Sequence, residues 1–467
     1  MTYRDALAYL GTLTNYERTH QPSAMRDIPL ERMRLLCERV GHPQRRFRSI
    51  LVAGTNGKGS ICAMLYSILR HAGLRVGCYT SPHLEDVRER IRVSSPSGHG
   101  GPDAADPPDW ISQRHLAAAL AQLEAAGGEV SRQAAGGALT YFEVLTAAAF
   151  LHFAQQRVDV AVLEVGLGGR LDATNIVEQA VSLIGPIGLD HTDVLGPELA
   201  SIAREKAGIL KTPHVVISAP QPPEASEVLR DVAARQGCRL VEYGRHLTAD
   251  VTGHQRHGLR MRLQGTRGSY EDLTLPLLGR HQMENAALAI AAVEALSEDG
   301  VPHAAIRAGL AAVQWPGRLE VLAEHPLVVF DGAHNPAAAQ ALRGTIEELW
   351  PGRAVHLLMG MSADKSLPAM AEALSPLVAS VTCTASRHPR ASAPEAVAQA
   401  WRPLSRAVAV IPDAADAYTY LLNTVAPEDL ILVTGSLFLV GELRAKIQHA
   451  KTHARPRARR SALSERR

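Results

Sequence analysis

The sequence has few aromatic residues and no long apolar run, and each of these features excludes a class of protein. Only 4% of its 467 residues are Phe, Trp or Tyr, so we expect no aromatic platform for stacking nucleic-acid bases. No apolar run reaches about 18 residues, the length that a helix needs to cross a bilayer. The first twenty residues also lack the apolar core and small-residue cleavage site of a secretory signal. We therefore predict a cytoplasmic protein with no membrane partner.

Cysteine is also scarce, and neither sign of charge dominates. The five cysteines form no CxxC pair or other metal-binding spacing, so we expect reduced thiols. Lys and Arg total 49 against 47 Asp and Glu, a formal net charge of +2. This balance argues against a nucleic-acid partner. Because no coiled-coil pattern is visible, a monomer is expected.

Two segments are predicted to be irregular. Residues 94–109 are rich in Gly, Pro, Ser and Asp, which is typical of a loop or an insertion. Residues 451–467 contain many Arg and almost no large apolar residues, so they are predicted to form a disordered basic tail.

The remaining sequence alternates between short apolar strands and helical segments. Predicted strands lie at 48–54, 74–82, 158–166, 181–188 and 214–220. Buried strands separated by helices indicate a parallel-rich sheet covered on both faces, which is an α/β fold. The alternation is interrupted at Pro316 and Gly317 and restarts near residue 326. This predicts one domain over residues 1–313 and a smaller α/β domain over 314–450.

A glycine-rich turn follows the first predicted strand. The segment GTNGKGS places Lys58 among three glycines, directly before a helical pattern. Glycines let the backbone approach a ligand, and the helix N-terminus and the lysine favour an anion, so a phosphate-binding loop is predicted. The common loop has Ser or Thr directly after the lysine. Here Gly59 intervenes before Ser60, so a bound metal needs another ligand.

A dinucleotide site is the competing interpretation of a second glycine-rich segment. VLEVGLGGRLDATN has glycines at 166, 168 and 169, but position 171, where the G-x-G-x-x-G spacing requires glycine, is Leu171. We therefore do not predict NAD binding.

Three polar residues lie at the ends of predicted strands, on the side of the sheet that carries the phosphate loop. They are Ser81, Glu164 and His191. Ligands of open α/β sheets bind beyond the carboxyl ends of the strands. A carboxylate in an apolar strand such as VAVLEVG is costly to bury without a partner, so Glu164 predicts a nearby cation or donor. Mg²⁺ prefers oxygen ligands, and His191 fits it least by chemistry.

Other polar residues have no role that spacing alone can assign. Lys206 lies in the helical segment SIAREKAGIL, where periodicity is compatible with an exposed surface cation. Arg318, Asp331 and His334 flank a predicted strand of the second domain, in loops where functional residues often lie.

Taken together, the motifs carry a resemblance that covers residues from about 25 to 445. The motifs occur in the order VAGTNGKGS, YTSPHL, LTYFE, LEVGLGGRLDATN, IGLDHTDVLG, IAREKAGI, GRHQMENAALA, WPGRLE, DGAHNP and TGSLFLVGELR. In this order they resemble the folylpolyglutamate synthase/dihydrofolate synthase family, relatives of the Mur ligases. The resemblance implies a large ATP-binding domain followed by a Rossmann-like domain that binds glutamate. It also implies that a pterin or folate carboxylate is phosphorylated by ATP and then joined to the amino group of L-glutamate.

The resemblance further implies roles for individual residues. Those implied for ATP are Thr55, Asn56, Gly57, Lys58, Gly59, Ser60, Asn285, Arg318 and Asp331. Those implied for Mg²⁺, with two ions expected, are Ser81, Glu164, His191 and Lys206, the last as an N-carboxylated lysine. Those implied for pterin or folate are Asp27, Ile28, Pro29, Leu30, Thr140, Tyr141, Phe142, Glu143, Leu171, Asp172 and Ala173. Those implied for glutamate are His334, Arg387 and Ser436. Catalytic roles fall to Lys58, Lys206 and His191.

Other functions remain open at this point. The nearest alternative is a ligase that accepts folates but not dihydropteroate. A ligase acting on a UDP-sugar is a further possibility, although LTYFE and DGAHNP count against it. A regulatory P-loop ATPase that makes no amide is disfavoured by the balanced charge and the scarcity of aromatics.

Overall fold

The chain folds into two compact units, Met1–Trp315 and Pro316–Arg467, in a computed structural model. The structure describes residues 1–26, 28–94, 109–133, 137–211, 214–255, 258–296, 300–405 and 407–448. The predicted tail 451–467 lies outside these ranges, as do Asp27 and nearly all of the predicted insertion 94–109. Among the described helices, none is both long enough and apolar enough to cross a membrane.

The first unit is built on a mixed sheet whose central strands are parallel. Its strands are β1 (Arg48–Ala53), β2 (Val76–Tyr79), β3 (Ile91–Val93), β4 (Val160–Glu164), β5 (Gln179–Ile184), β6 (Val215–Ser218) and β7 (Arg239–Glu242). The strand order is β3-β2-β4-β1-β5-β6-β7, and β3 alone among them pairs antiparallel. The apolar runs predicted as strands are confirmed, because β1, β2 and β4 are buried almost throughout.

Helices cover both faces of this sheet. Four of them precede β1 in the chain, and the others lie between or after the strands. The helices are α1 (Tyr3–Thr12), α2 (Tyr16–Thr19), α3 (Pro22–Met25), α4 (Leu30–Arg39), α5 (Lys58–His71), α6 (Gln113–Gln133), α7 (Tyr141–Gln155), α8 (Thr192–Leu195), α9 (Leu199–Ala207), α10 (Pro223–Arg235), α11 (Arg280–Leu296) and α12 (His303–Ala311), with 3-10 turns at Pro43–Arg45, Val87–Arg90 and Ala173–Ile176. One apolar cluster contains Met33 and Leu36 of α4. A second cluster joins α5 and α11 to the other face.

A small antiparallel sheet in the first unit was missed by the sequence analysis. Its strands are β8 (Thr248–Gln255), β9 (Gly258–Gln264) and β10 (Ser269–Leu275). In β9 the buried residues Leu259, Met261 and Leu263 alternate with exposed ones. This period of two is what a strand with one solvated face requires, so the pattern was present in the sequence.

The second unit repeats the α/β design on its own sheet. Its strands are β11 (Glu320–Glu324), β12 (Leu327–Phe330), β13 (Val355–Met359), β14 (Val378–Ala385), β15 (Val408–Asp413) and β16 (Leu430–Thr434), in the order β11-β12-β16-β13-β14-β15. Its helices include α13 (Pro336–Leu349), α14 (Leu367–Leu374), α15 (Pro394–Trp401) and α16 (Ala414–Thr424), with a 3-10 turn at Ser375–Leu377. Only β11 pairs antiparallel within this set. The predicted α/β class is therefore confirmed in both units.

Candidate active site

The predicted phosphate loop lies between the carboxyl end of β1 and the first turn of α5. Gly57 ends the loop with φ at +80°, and a Cβ added there would come within 2.5 Å of the Oδ1 atom of Asn285. Glycine is therefore required both by the backbone conformation and by the neighbouring side chain. Thr55 fixes the loop from the other side. Its N–H donates to the carbonyl of Pro186 at 2.9 Å, and its Oγ1 atom hydrogen-bonds to the backbone of Gly188.

Lys58 folds back over the loop that precedes it. Its ammonium donates to the carbonyls of Gly54 and Thr55 at 3.1 and 3.2 Å. Nearby, a Cβ on Gly59 would come within 2.7 Å of the ring of Trp315. Ser60 is buried in the first turn of the helix. The helix therefore starts with a cation held directly over backbone that can face an anionic ligand.

Lys206 is buried against the same loop, so it is not the exposed surface cation that periodicity had left open. Only 4% of the residue is exposed, and its Nζ atom donates to the carbonyl of Gly54 at 2.8 Å. Burial, reinforced by the nearby ammonium of Lys58, lowers the pKa of Lys206 to about 7, and Asp190 and Asp172 oppose this shift. Near neutral pH a large fraction of this amine is therefore uncharged and nucleophilic.

Ser81 and Glu164 meet at the ends of adjacent parallel strands. β2 and β4 are neighbours, and β4 also pairs with β1, whose carboxyl end leads into the predicted phosphate loop. The backbone N–H of Ser81 donates to Oε2 of Glu164 at 3.1 Å, and Glu164 is only 5% exposed. A buried carboxylate and a hydroxyl-bearing residue thus lie together at this edge. Such oxygen donors fit Mg²⁺.

His191 lies on the loop beyond β5, the strand on the other side of β1. Its backbone adopts a left-handed conformation with φ at 49° directly before α8. Non-glycine residues are uncommon in this region, and they cluster at functional sites. Its N–H donates to Oδ1 of Asp190, the carboxylate that also influences the pKa of Lys206. Sequence reasoning did not select Asp190, although it directly precedes His191 in GLDHTD.

Thr140 and Glu143 form a capping box at the N-terminus of α7. Thr140 caps the helix by accepting from the N–H of Glu143, and the Glu143 carboxylate accepts from the N–H of Thr140. Both oxygens of Glu143 also accept from Arg32, with the shorter contact at 2.6 Å, and 4% of each side chain is exposed. Glu143 therefore fixes the helix start. The sequence analysis missed Arg32, which lies on α4 beside the buried Met33 and pairs with a residue 111 positions away, a contact that local pattern does not reveal.

Removing one charge of this buried pair is expected to destabilise the fold strongly. We expect Arg32→Gln to lower the free energy of unfolding by about 3–5 kcal/mol, because it leaves the Glu143 carboxylate buried and unpaired. Urea unfolding measures the change. The matched control is the double variant Arg32→Met/Glu143→Leu, which removes both charges and should lose much less. Equal losses in the two variants would contradict this account.

The remaining residues around the predicted pterin position lie on several elements. Phe142 packs on Tyr79, with ring centroids 5.9 Å apart, and its ring occupies the space of a Cβ on Gly166. Asp172 accepts from the N–H groups of Gly166 and Leu167 and from Thr174. Burial raises its pKa, and these hydrogen bonds oppose the rise. Asp172 thus shapes the glycine-rich loop after β4. The other predicted residues, by exposure, are the half-buried Ile28, Pro29, Leu30, Tyr141 and Leu171 and the buried Ala173.

In the second unit, the predicted residues follow β12 and β16. The Asp331 carboxylate accepts from the N–H groups of Leu319 and Ala333, and burial raises its pKa while Arg318 lowers it. Ser436 is buried just after β16, and the N–H of Gly435 beside it donates to the carbonyl of Ala333, next to His334. These residues therefore lie at one edge of the second sheet.

Arg387 and Asn285 differ in exposure. The Arg387 side chain is 75% exposed and faces Glu442 and Asp413 at 3.5 and 3.9 Å. Asn285 is buried on α11, where its amide donates to Oε1 of Gln282 at 3.0 Å and its Oδ1 faces Gly57. Asn285 is thus placed beside the phosphate loop.

Comparisons with known proteins agree with this architecture. The Mur ligase middle domain family matches residues 112–293, and the Mur ligase glutamate ligase domain family matches residues 317–437. Proteins named dihydrofolate synthase/folylpolyglutamate synthase from Mycobacterium tuberculosis and Escherichia coli are each 37% identical to this chain. The alignments cover 94% of both chains for the first, and 89% of this chain and 90% of the relative for the second.

Solved structures give the same result. A folylpolyglutamate synthase from Mycobacterium tuberculosis, complexed with ADP and AMPPCP, matches with a TM-score of 0.84 and 34% identity over 95% of this chain and 98% of its own. Escherichia coli FolC in complex with DHPP and ADP matches with a TM-score of 0.83 and 34% identity over 97% and 99%. The resemblance predicted from the motifs is thereby confirmed: the chain belongs to the dihydrofolate synthase/folylpolyglutamate synthase family of ATP-dependent ligases.

Proposed function

We propose that this protein joins L-glutamate to dihydropteroate and to reduced folates, using ATP and an acyl-phosphate intermediate. The observation that carries the proposal is the convergence of Lys58, Lys206 and the Ser81–Glu164 pair around the loop after β1. Its chemical elements are those of phosphoryl transfer: a glycine loop, a fixed cation and oxygen ligands at one sheet edge. The names and bound ligands of the relatives support the same reaction.

ATP binds with its phosphates on the loop formed by Thr55, Asn56, Gly57 and the first turn of α5. Lys58 turns from its backbone acceptors toward the β- and γ-phosphates, and Asn285 lines the loop at Gly57. Gly59 and Ser60 supply further backbone N–H groups at the helix start. In the second unit, Arg318 and Asp331 are proposed as further ATP contacts.

Mg²⁺ is proposed to bind between Ser81 and Glu164, with His191 completing the set of ligands. The Glu164 carboxylate is nearly buried and lies at the end of β4, beside the end of β1, which fits a divalent cation. When bound, the metal neutralises charge on the phosphates and lowers the repulsion met by an incoming carboxylate. Lys206 supplies a further anionic ligand, for a second ion, when its amine carries CO₂ as a carbamate.

The reaction then proceeds in two steps. A carboxylate oxygen of the pterin or folate attacks the γ-phosphorus of ATP, the bond to the β,γ-bridging oxygen breaks, and ADP leaves. The α-amino group of glutamate attacks the acyl carbon, loses a proton and expels inorganic phosphate. Holding the reactants in line can lower the activation free energy by about 7–11 kcal/mol.

Substrate contacts are proposed on both units. The pterin lies against the segment 27–30, the start of α7 at Thr140–Phe142 and the turn at Leu171–Ala173. Glu143 and Asp172 shape these segments through the hydrogen bonds described above. Glutamate is proposed to bind to the second unit, near His334, Arg387 and Ser436.

The decisive experiment combines ATP, Mg²⁺, labelled glutamate and either dihydropteroate or tetrahydrofolate, and identifies the product by mass. We expect an amide product with both acceptors. Product from tetrahydrofolate alone would support the alternative, a folylpolyglutamate synthase without dihydropteroate activity. ATP hydrolysis without any amide product would contradict the proposed function.

Location and assembly are proposed from simpler observations. All five cysteines lie in described ranges as free thiols, which supports a reducing, cytoplasmic location. A monomer is proposed, and light scattering of the purified protein tests it.

Replacing Lys58 is expected to remove ATP binding while leaving the fold intact. Lys58→Ala should lower kcat/KM by at least about a hundredfold, because the cation over the β- and γ-phosphates is lost. Nucleotide binding by calorimetry and turnover by product mass measure the effect. Lys211→Ala is the matched control, since Lys211 also donates to two backbone carbonyls but away from this loop. Near-normal turnover in Lys58→Ala would refute the assignment of the loop.

A further inference from the structure

Arg90 is a buried arginine that the proposed chemistry does not use. It ends the 3-10 turn before β3, and its side chain is only 1% exposed. Its Nη1 and Nη2 atoms donate to the two oxygens of Glu17 at 2.7 and 2.6 Å, and its Nε atom donates to Nδ1 of His83 at 2.9 Å. A two-point contact between guanidinium and carboxylate fixes orientation as well as distance. Arg90 therefore ties the N-terminal segment to the loop after β2.

The same guanidinium faces the proposed pterin-binding helix start. Its Cζ atom lies 5.5 Å from the centroid of the Tyr141 ring. The backbone N–H of Tyr141 in turn donates to the carbonyl of Thr14 at 2.9 Å, three residues before Glu17. Arg90 therefore contacts both Glu17 and Tyr141, and Tyr141 in turn contacts Thr14, three residues before Glu17.

Arg90 also contacts residues on both sides of Ser81 in the chain. Its carbonyl accepts from the N–H of Thr80 at 3.0 Å, and its side chain holds His83. Between these contacts, the N–H of Ser81 donates to Glu164. The loop that carries a proposed Mg²⁺ ligand is therefore held by the residue that also holds the pterin side.

A second attachment joins the N-terminal segment to the other candidate metal loop. His20 contacts Oδ2 of Asp193 through Nε2 at 2.6 Å, and Nε of Arg26 donates to the carbonyl of Asp193 at 3.1 Å. Asp193 lies in α8, two residues after His191. Residues 15–26 are thus attached to both loops that carry candidate metal ligands, and they lead directly into the proposed pterin segment 27–30.

We propose that Arg90 is a positioning residue that aligns the pterin-binding segments with the loop carrying Ser81, so that the acceptor carboxylate and the phosphates meet in register. This inference rests on the proposed function. It assigns Arg90 no contact with substrate. Its loss therefore affects folate KM and kcat while leaving nucleotide binding to the phosphate loop largely unchanged.

The test compares Arg90→Gln, Arg90→Lys and Glu17→Gln with the unaltered protein. For Arg90→Gln we expect the KM for tetrahydrofolate to rise and kcat to fall, each by roughly tenfold, because a small misplacement of the acceptor is costly. The Kd for ADP without Mg²⁺, measured by calorimetry, should change by less than about twofold, because Arg90 makes no contact with the phosphate loop. Glu17 is more exposed than Arg90, so Glu17→Gln should fold and shift kinetics in the same direction. Arg90→Lys should recover part of the loss, since it keeps the charge.

Arg88→Gln is the matched control. Arg88 lies in the same turn but pairs with its neighbour Asp86 at 2.8 Å, so its loss should leave the folate KM unchanged. Equal changes in folate KM and ADP Kd for Arg90→Gln, or additive effects in the double variant Arg90→Gln/Glu17→Gln, would overturn the proposal. If the unaltered protein forms the amide and Arg90→Gln has the same folate KM, the positioning role is refuted while the proposed function stands. Absence of amide from the unaltered protein would refute the proposed function, and with it this inference.

Discussion

Lys206→Ala is expected to lose most ligase activity, at least about a hundredfold in kcat, in a protein that still folds. The amine is buried beside the phosphate loop and donates to the carbonyl of Gly54. Burial and the neighbouring Lys58 lower its pKa to about 7, so an uncharged amine is available to attack CO₂. The product is a carbamate with loss of one proton, which replaces a cation by an anion where a metal ion is proposed.

Chemical rescue separates this role from a purely structural one. Short carboxylic acids such as acetate or formate should restore part of the activity of Lys206→Ala, because they supply the missing carboxylate. Mass spectrometry under gentle conditions should detect the added mass of CO₂ on Lys206 in the unaltered protein. The matched control is Lys211→Ala, which should keep activity and show no response to acetate. Normal turnover by Lys206→Ala would contradict the carbamate role. So would the absence of rescue by acetate or formate, together with an unmodified amine at Lys206 in the unaltered protein.

The lowered pKa of Lys206 also predicts how stability depends on pH. Between about pH 7 and the ordinary lysine range near pH 10.5, the unfolded chain holds a proton on this residue that the folded protein has released. The contribution of Lys206 to the free energy of unfolding therefore rises with pH across this window, and is least favourable below it. Lys206→Met removes the titrating group. Its stability relative to the unaltered protein should be highest at about pH 6 and decline toward about pH 9 in urea unfolding without CO₂.

Glu164→Gln is expected to abolish Mg²⁺-dependent ligation while preserving the shape of the side chain. The neutral amide cannot offset a divalent cation as a carboxylate does. We expect kcat to fall by at least about a hundredfold, and the Mg²⁺ concentration needed for half-maximal rate to rise. Titration of activity against Mg²⁺, together with calorimetry of Mg²⁺ and ADP, measures both effects.

Another buried glutamate provides the control for this variant. Glu294 is 3% exposed and accepts from Thr266 and from the hydroxyl of Tyr270, next to the antiparallel sheet of β8–β10. Glu294→Gln should lower stability without changing the dependence of activity on Mg²⁺. If Glu164→Gln behaves in the same way, Glu164 has only a structural role in its strand and the proposed metal site is misplaced.

Local patterns allowed most of the fold and the phosphate loop to be predicted from the sequence. The apolar runs of β1 and β4 and the segment GTNGKGS act over neighbouring residues, so their conformations follow from composition and spacing. The missed antiparallel sheet shows the limit of this approach. Leu259, Met261 and Leu263 alternate with polar residues in a segment that is only half apolar, and only pairing with β8 and β10 makes it a strand.

The candidate site divides in the same way. The order of the motifs by itself determined the family, and local patterns predicted the phosphate loop and the positions of Ser81, Glu164 and His191 at or after the ends of their strands. Only the tertiary structure decided that Lys206 is buried, because its acceptor at Gly54 lies 152 positions away in the chain. The same holds for Arg90 and Glu17, whose pairing spans 73 positions. Burial and charge pairing depend on which distant segments meet, whereas the glycine-rich turn and the buried apolar runs of β1 and β4 are visible in neighbouring residues.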